Sequence, residues 1–317
     1  MKISLITPAS RQSRAGNRMT AMRWARILRG LGHRVHIAVE YDDEPADLMV
    51  ALHAWRSARS IERFRARYPD RPLVVALTGT DIYSFIHSHP KETLRSLDLA
   101  DALVGLHELV SAAIPKRYHD KLEIIYQSVS PLSERRPPLR HWFEILVIGH
   151  LREEKDPLRT AEAARLLPES SRIRVVHYGR AHDESWAERA RAEMARNPRY
   201  VWRDEVPRWK VRAAQERASL MVLSSVQEGG ANVISEAIMA GLPVIASKIV
   251  GSVGLLGKDY PGYYPVGDTT ALAKLILRAE QEPAYLKALR RHCAARVKLF
   301  DPARERRSWQ QLLKRIA

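Results

Sequence analysis

The sequence predicts an α/β fold of two parallel-sheet domains, and three observations carry the prediction. Short apolar runs alternate with amphipathic segments through both halves of the chain, as strands joined by crossover helices do. A stretch rich in proline and arginine, Ser128–His141, separates the two series and reads as an extended linker. The length of 317 residues, 45% of them hydrophobic, suits two domains of ordinary size. The expected division is 1–135 for an N-terminal domain, 136–300 for a C-terminal domain and 301–317 for a C-terminal helix.

In the first series, Lys2–Thr7 reads as the opening strand, too short and too soon broken by Pro8 for a signal peptide. Thr20–Leu31 reads as a helix with Ala21, Trp24, Ala25, Leu28 and Leu31 on one face, closed by Gly32. Strands follow at Val35–Val39, Asp47–Leu52, Leu73–Leu77, Ala102–Leu106 and Leu122–Tyr126, with a helix at Ser60–Tyr68. The second series has strands at Ile145–Ile148, Ile173–His177, Tyr200–Trp202, Leu220–Leu223 and Pro243–Ala246. Its helices run from the 149–157 segment through Leu167, then Ser185–Arg196, Asn232–Ala240, Thr270–Glu280, Ala284–Lys298 and Arg304–Ile316.

Ligands of such sheets sit beyond the carboxyl ends of the strands, so the residues just past each apolar run are the candidates. In the first series these are the basic loop Ser10–Arg18, with Arg11, Arg14, Gly16, Asn17 and Arg18, then His53 and Trp55. Thr78, Gly79, Thr80 and Asp81 come next, then His107, then Gln127 and Ser128. Each alone also fits a packed histidine or a plain turn. Their convergence on one rim suggests a ligand site.

In the second series the informative stretch is Glu228–Gly251. Glu228-Gly229-Gly230 turns the chain out of a strand, and Val233, Ile234, Ala237 and Ile238 form one stripe of the helix that follows. Gly241 ends that helix where φ > 0 is usual, and Pro243 prevents its continuation. A glycine turn before a helix is also the ordinary strand-to-helix connection. The free amides around Gly230, Ala231 and Asn232 nevertheless suit an anion such as a diphosphate. Glu228 and Glu236, eight residues apart and negative, are assigned to sugar hydroxyls.

The net charge of +16 is compatible with nucleic acid, an anionic membrane or small anionic substrates. Most arginines alternate with acids along helices, as solvated faces do, and no RNA-binding aromatic signature, zinc-finger spacing or long basic tract occurs. The expectation is therefore no nucleic-acid partner. The single cysteine, Cys293, excludes an internal disulfide and a multi-cysteine metal site. No apolar run approaches the roughly 18 residues of a membrane span, which leaves a cytoplasmic protein without integral membrane association as the expectation. Asp42-Asp43-Glu44 reads as an acidic turn, and with no other acidic cluster the expectation is catalysis without metal or cofactor.

Glu228-x7-Glu236, followed by Ala-x-x-Ala-Gly-x-Pro-Val-Ile-Ala-Ser, resembles the signature of retaining nucleotide-sugar glycosyltransferases with the GT-B fold. The resemblance covers nearly the whole chain. It implies two Rossmann-like domains facing across a cleft, a C-terminal helix returning to the N-domain, and a UDP-sugar donor on the C-terminal domain. It also implies that the first acid meets the transferred sugar, the second the ribose, and that backbone near Glu205-Val206 and Gly179-Arg180 frames the base. The family's Gly-Arg-x4-Lys pattern supplies two cations to the diphosphate. Here Lys155 matches, His150 stands at the arginine position, and Arg152 is the substitute.

Three segments are similar, more narrowly, to the selenosugar synthases of selenoneine biosynthesis: Ala51–Ala58, Leu77–Tyr83 and Gly149–Pro157. That resemblance implies transfer from UDP-N-acetylglucosamine or UDP-glucose to selenophosphate. Thr78 stands where the general family has a histidine, which fits an acceptor needing no general base. The implied catalytic residues are Arg152, Lys155 and Glu228, and the donor residues Val206, Gly230, Ala231, Asn232, Val233 and Glu236. The acceptor residues are Gly16, Asn17, Arg18, His53, Thr78, Gly79, Thr80 and Asp81. A lipid or polysaccharide acceptor at a membrane surface, or a non-catalytic anion-binding role, are the competing readings.

Overall fold

A computed structural model describes residues 1–12, 16–131, 137, 139 and 141–316. Arg14 of the expected basic loop, and Arg135, Arg136, Pro138 and Arg140 of the expected linker, lie outside the described residues. Internal contacts divide the chain into two units. One is Met1–Ser128 with Glu228–Asn232 and Leu299–Ala317; the other is Val129–Gln227 with Val233–Lys298.

The first unit runs β1 (Lys2–Ile6), α1 (Gly16–Gly30), β2 (Arg34–Ala38), β3 (Leu48–Leu52), α2 (Ala58–Arg67) and β4 (Leu73–Leu77). A π-helical turn, Asp81–Phe85, then leads into α3 (Ile86–Ser88), α4 (Pro90–Leu99), β5 (Ala102–Gly105) and β6 (Leu122–Ile124). The strands form one parallel sheet in the order β2-β1-β3-β4-β5-β6. Side chains alternate between its faces with period two. Val50, Leu52, Val74 and Ala76 pack with Trp24 and Leu28 of α1, while Met49, Ala51, Val75 and Leu77 pack with Ile61 and Phe64 of α2. Both faces are covered, so β3 and β4 read as unbroken apolar runs.

The second unit runs β7 (Phe143–Ile148), α5 (Arg159–Arg165), β8 (Ile173–Tyr178), α6 (Glu184–Arg196), β9 (Tyr200–Trp202), α7 (Arg208–Arg217) and β10 (Leu220–Leu223). It continues with α8 (Asn232–Met239), β11 (Val244–Ser247), α9 (Val250–Leu256), β12 (Tyr263–Tyr264), α10 (Thr269–Gln281) and α11 (Pro283–Arg296). Its sheet is also parallel, in the order β12-β11-β10-β7-β8-β9. Asp183 and Asp268 cap α6 and α10 by accepting from Trp186 N at 3.1 Å and Ala271 N at 2.8 Å. Gly241 has φ 65°, the left-handed conformation expected after α8.

The chain then returns to the first sheet as α12 (Pro302–Ile316). Trp309 meets Trp24 of α1 edge to face at 4.8 Å, and Leu312 and Leu313 enter the same core. Glu305, 1% exposed, is held from every side. Its Oε1 accepts from Trp24 Nε1 at 2.8 Å and Arg23 Nε at 3.3 Å, and its Oε2 accepts from Ser128 N at 2.9 Å and from the Ser128 hydroxyl. A buried carboxylate is tolerable only when so completely paired.

Several elements differ from the sequence expectation. The first helix begins at Gly16, not Thr20, because Gly16–Met19 bury nothing completely and show no apolar period. The π turn, α3, α4, α7, α9 and β12 were not expected. α4 buries Thr93, Ser96 and Leu97, and α7 buries Gln215, so neither shows an apolar stripe. α9, VGSVGLL, is too glycine-rich to read as a helix, and β12 spans two residues. Among the described residues no helix is long and apolar enough to cross a membrane.

Candidate active site

In the second unit the loops after β7, β8 and β9 lock together backbone to backbone. Gly149 N donates to Tyr178 O and Gly179 N to Asp204 O, both at 2.9 Å. A Cβ on Gly179 would fall 1.8 Å from Gly149 O, and its φ is 157°, so only glycine fits. His177 braces the layer beneath. Its Nε2 must donate to the Gly149 carbonyl, 2.9 Å away, which leaves Nδ1 to accept from the Tyr200 hydroxyl at 2.9 Å. Complete burial drives the His177 pKa down to about 4 and keeps the ring neutral.

On this frame lie the expected donor residues. Lys155 runs along the 149–156 loop, where a Cβ on Gly149 would come within 3.9 Å of its Cδ. The loop is tied to the outlet of β10: Ser224 Oγ donates to the carbonyls of Lys155 and Asp156, and Val226 N to Glu154 O at 2.9 Å. The 149–156 loop and the outlet of β10 are thus fastened to each other. Arg152 is half exposed, with Nε 3.7 Å from Glu154 Oε2. His150, half-buried, has its pKa lowered by burial, which outweighs the opposing pull of Glu205. Val206 follows β9 and leads directly into α7. Glu236 lies one turn into α8, and its Oε1 accepts from Arg208 Nη2 at 2.9 Å. Val233, expected on the buried stripe, is half exposed; Ile234, Ser235, Ala237 and Ile238 carry that face.

In the first unit the turn Glu228–Asn232 is seated on the rim of the first sheet. A Cβ on Gly229 would lie 2.1 Å from Thr78 O, one on Gly79 would lie 2.4 Å from Gly229 N, and one on Gly230 would lie 2.7 Å from Leu106 Cβ. His107, fully buried, has Nε2 3.2 Å from the Tyr83 hydroxyl. Burial lowers its pKa to about 4, against the opposing effect of the Gly229 backbone.

Two expectations on this rim need correction. Asp81 was expected to meet the acceptor, but its side chain is buried and consumed by the backbone. It accepts from Ala54 N at 3.0 Å, Thr78 N at 3.0 Å, Gly79 N at 2.7 Å and Ile82 N at 3.2 Å, and so builds the Thr78–Asp81 loop. His53, 1% exposed with φ 75°, is likewise a brace. Its Nδ1 accepts from Arg56 N at 3.2 Å, so Nε2 carries the proton toward Thr80 Oγ1 at 2.9 Å. Burial lowers its pKa, with Asp81 pulling the other way.

The arginine that reaches the glycine turn is Arg23. Its Nη1 donates to Asn232 Oδ1 at 3.2 Å, while Nη2 is buried without a hydrogen bond among the described residues. Gly16 shares that helix face: a Cβ there would lie 3.9 Å from Asn232 Nδ2. Arg18 instead lines a shallow depression with Met22, Arg26, Arg29 and Ile37. Gly16 and Arg23 are seven residues apart, two helical turns, and that spacing was the available signal. Asn17 lies half-buried between Gly16 and Arg18 in the first turn of α1.

Residues 141–298 match the family model described as "Glycosyl transferases group 1". Among solved structures, a sucrose-phosphate synthase from Thermosynechococcus elongatus superposes with a TM-score of 0.81 at 16% identity, covering 99% of this chain and 98% of that one. HepE from Anabaena, in complex with UDP, superposes with a TM-score of 0.75 at 16% identity, covering 99% of this chain and 100% of that one. A glycosyltransferase from Rickettsia africae gives 0.74 at 15% identity, covering 99% and 98%. Residues 141–298 thus carry a group 1 glycosyltransferase domain, and the chain has the fold of two parallel six-stranded sheets seen in GT-B glycosyltransferase structures.

Proposed function

We propose that the protein transfers a hexosyl group from a UDP-sugar to selenophosphate with retention of configuration, UDP-N-acetylglucosamine and UDP-glucose being the candidate donors. The observation that supports the donor half is that Lys155 and Val206 follow β7 and β9, and Glu236 lies on α8, the helix after β10, all within the residues that match the group 1 model. HepE, a structural relative, is described in complex with UDP and with UDP-glucose.

Lys155, with Arg152 beside it, meets the diphosphate, whose charge grows as the bond between the anomeric carbon and the phosphate oxygen breaks. Glu236 accepts from the ribose hydroxyls, Val206 borders the base, and Glu228 holds the transferred sugar. Gly230, Ala231 and Asn232 offer backbone amides at the start of α8. A selenium lone pair forms the new bond to the anomeric carbon, and UDP leaves with the electron pair of the broken one. The acceptor arrives ionised, so no side chain has to remove a proton from it.

The acceptor half rests on two features. Thr78 stands where the wider family has a histidine, and the arginines of α1, Arg18 and Arg23, provide positive charge for a small anion. Asp81 and His53 act indirectly, by shaping the loop that carries Thr78, Gly79 and Thr80. The deciding experiment incubates the protein and UDP-N-acetylglucosamine with selenophosphate, thiophosphate or phosphate and identifies products by mass spectrometry. A glycosylated selenium product supports the proposal; UDP release without any product from the three acceptors rejects it.

A second reading, a lipid or polysaccharide acceptor at a membrane surface, is favoured by α7. Trp209 on that helix is 67% exposed and stands between Arg208 and Lys210, as on a basic interfacial segment. Sedimentation with anionic vesicles tests it, since the small-acceptor reading requires no binding.

A further inference from the structure

The contact between Arg208 and Glu236 in the second unit has no place in the roles above. Arg208 Nη2 lies 2.9 Å from Glu236 Oε1, with the arginine side chain 54% exposed and the glutamate 16%. The two side chains come from different elements, the first residue of α7 and the second turn of α8. α7 is itself fixed, because Arg212 Nη2, one turn on, donates to Ser130 O at 2.8 Å. The residues preceding Arg208 are Val206 and Pro207, the segment assigned to the base, and proline holds that backbone at φ −55°.

We propose that Arg208 is a positioning residue for the donor's ribose, acting through Glu236; this rests on the UDP-sugar reading. The guanidinium engages Oε1 and so orients the carboxylate, leaving Oε2 to accept from a ribose hydroxyl. The segment that borders the base and the carboxylate that reads the ribose thereby become one unit. A donor lacking a ribose diol gains nothing from the arrangement. Ion pairs this exposed contribute little to folding, so removal of Arg208 leaves the protein folded while loosening the carboxylate.

The test is calorimetric titration of UDP and of 2′,3′-dideoxy-UDP into the wild type, Arg208→Ala, Glu236→Gln and the double variant. Arg208→Ala is expected to weaken UDP binding about five- to tenfold, the scale of one charge-assisted hydrogen bond acting at second hand. Binding of the dideoxy nucleotide stays unchanged, and Arg208→Ala has no further effect in the Glu236→Gln background. Unchanged UDP affinity in Arg208→Ala overturns the inference, as does an equal loss for the dideoxy nucleotide or an undiminished loss without Glu236. A wild type that does not bind UDP overturns the donor reading and this inference together; a wild type that binds it beside an unaffected Arg208→Ala overturns the inference alone.

Discussion

Gly229 lies against Gly79 so closely that neither position has room for a methyl group. A Cβ on Gly79 would stand 2.4 Å from Gly229 N, and one on Gly229 would stand 2.5 Å from Gly79 Cα. The turn that carries Glu228 is therefore placed by backbone contact with the end of β4. Gly229→Ala should displace it at a cost of about 1–3 kcal/mol, the range for overpacking a tight site. A lowered thermal midpoint together with reduced turnover is the expected result, and wild-type values for both would show that the turn shifts freely.

Lys155 is the cation proposed for the diphosphate. Lys155→Ala should lower turnover by a factor of about 10²–10³, the range for one electrostatic stabiliser of a developing charge. Steady-state kinetics with the donor saturating provide the check. Turnover near that of the wild type would assign the diphosphate to other groups.

The two acids should separate in binding experiments. Glu236→Gln should weaken UDP itself, because a charged acceptor for the ribose hydroxyls is lost. Glu228→Gln should spare UDP and reduce use of the sugar nucleotide. Equal UDP affinity in the two variants would refute the division of roles.

The pH dependence of stability follows from His107 and His177, whose folded pKa values of about 4 lie below the ordinary 6.5. Between these values the unfolded chain binds protons that the folded one refuses, so stability is full above about pH 6.5 and declines as pH falls toward 4. Each ring can account for a loss on the order of 3 kcal/mol across that window. Denaturant titrations at pH 7, 5.5 and 4.5 should show the decline, and His177→Gln should flatten part of it. An unchanged slope in that variant would place the proton uptake elsewhere.

Trp309 and Glu305 tie α12 to α1. Trp309→Ala should cost about 3–5 kcal/mol, as for other buried large aromatics. A thermal midpoint within a degree of the wild type would mean that the Trp24–Trp309 contact is not part of the stabilising core.

The strands of both sheets, β12 apart, were legible because burial on two faces writes itself as short unbroken apolar runs. Val50, Val75 and Ile145 are where such runs placed them. α4 and α7 were not legible, because they bury polar or small side chains and present no stripe. The same logic divides the candidate site. Glu236 and Lys155 were singled out by spacing; the structure places Lys155 in the loop after β7 and Glu236 one turn into α8. Asp81 and His53 could not be sorted from ligand-facing residues by sequence, because a polar group at a strand end reads alike whether it meets a substrate or the backbone amides of its own loop. Arg23 was passed over for Arg18, since helix phase counts only once the helix is known to begin at Gly16.

The path of the chain through its first unit has a consequence for synthesis. Trp24 is made early, and its covering partner Trp309 comes nearly three hundred residues later, after the whole of the second unit. A nascent chain that has completed β6 thus carries an open apolar face beside α1, where Trp309, Leu312 and Leu313 will pack, together with Arg23 still lacking its carboxylate. That face must wait, exposed or chaperoned, while an entire second sheet is translated, and it closes only when α12 leaves the ribosome.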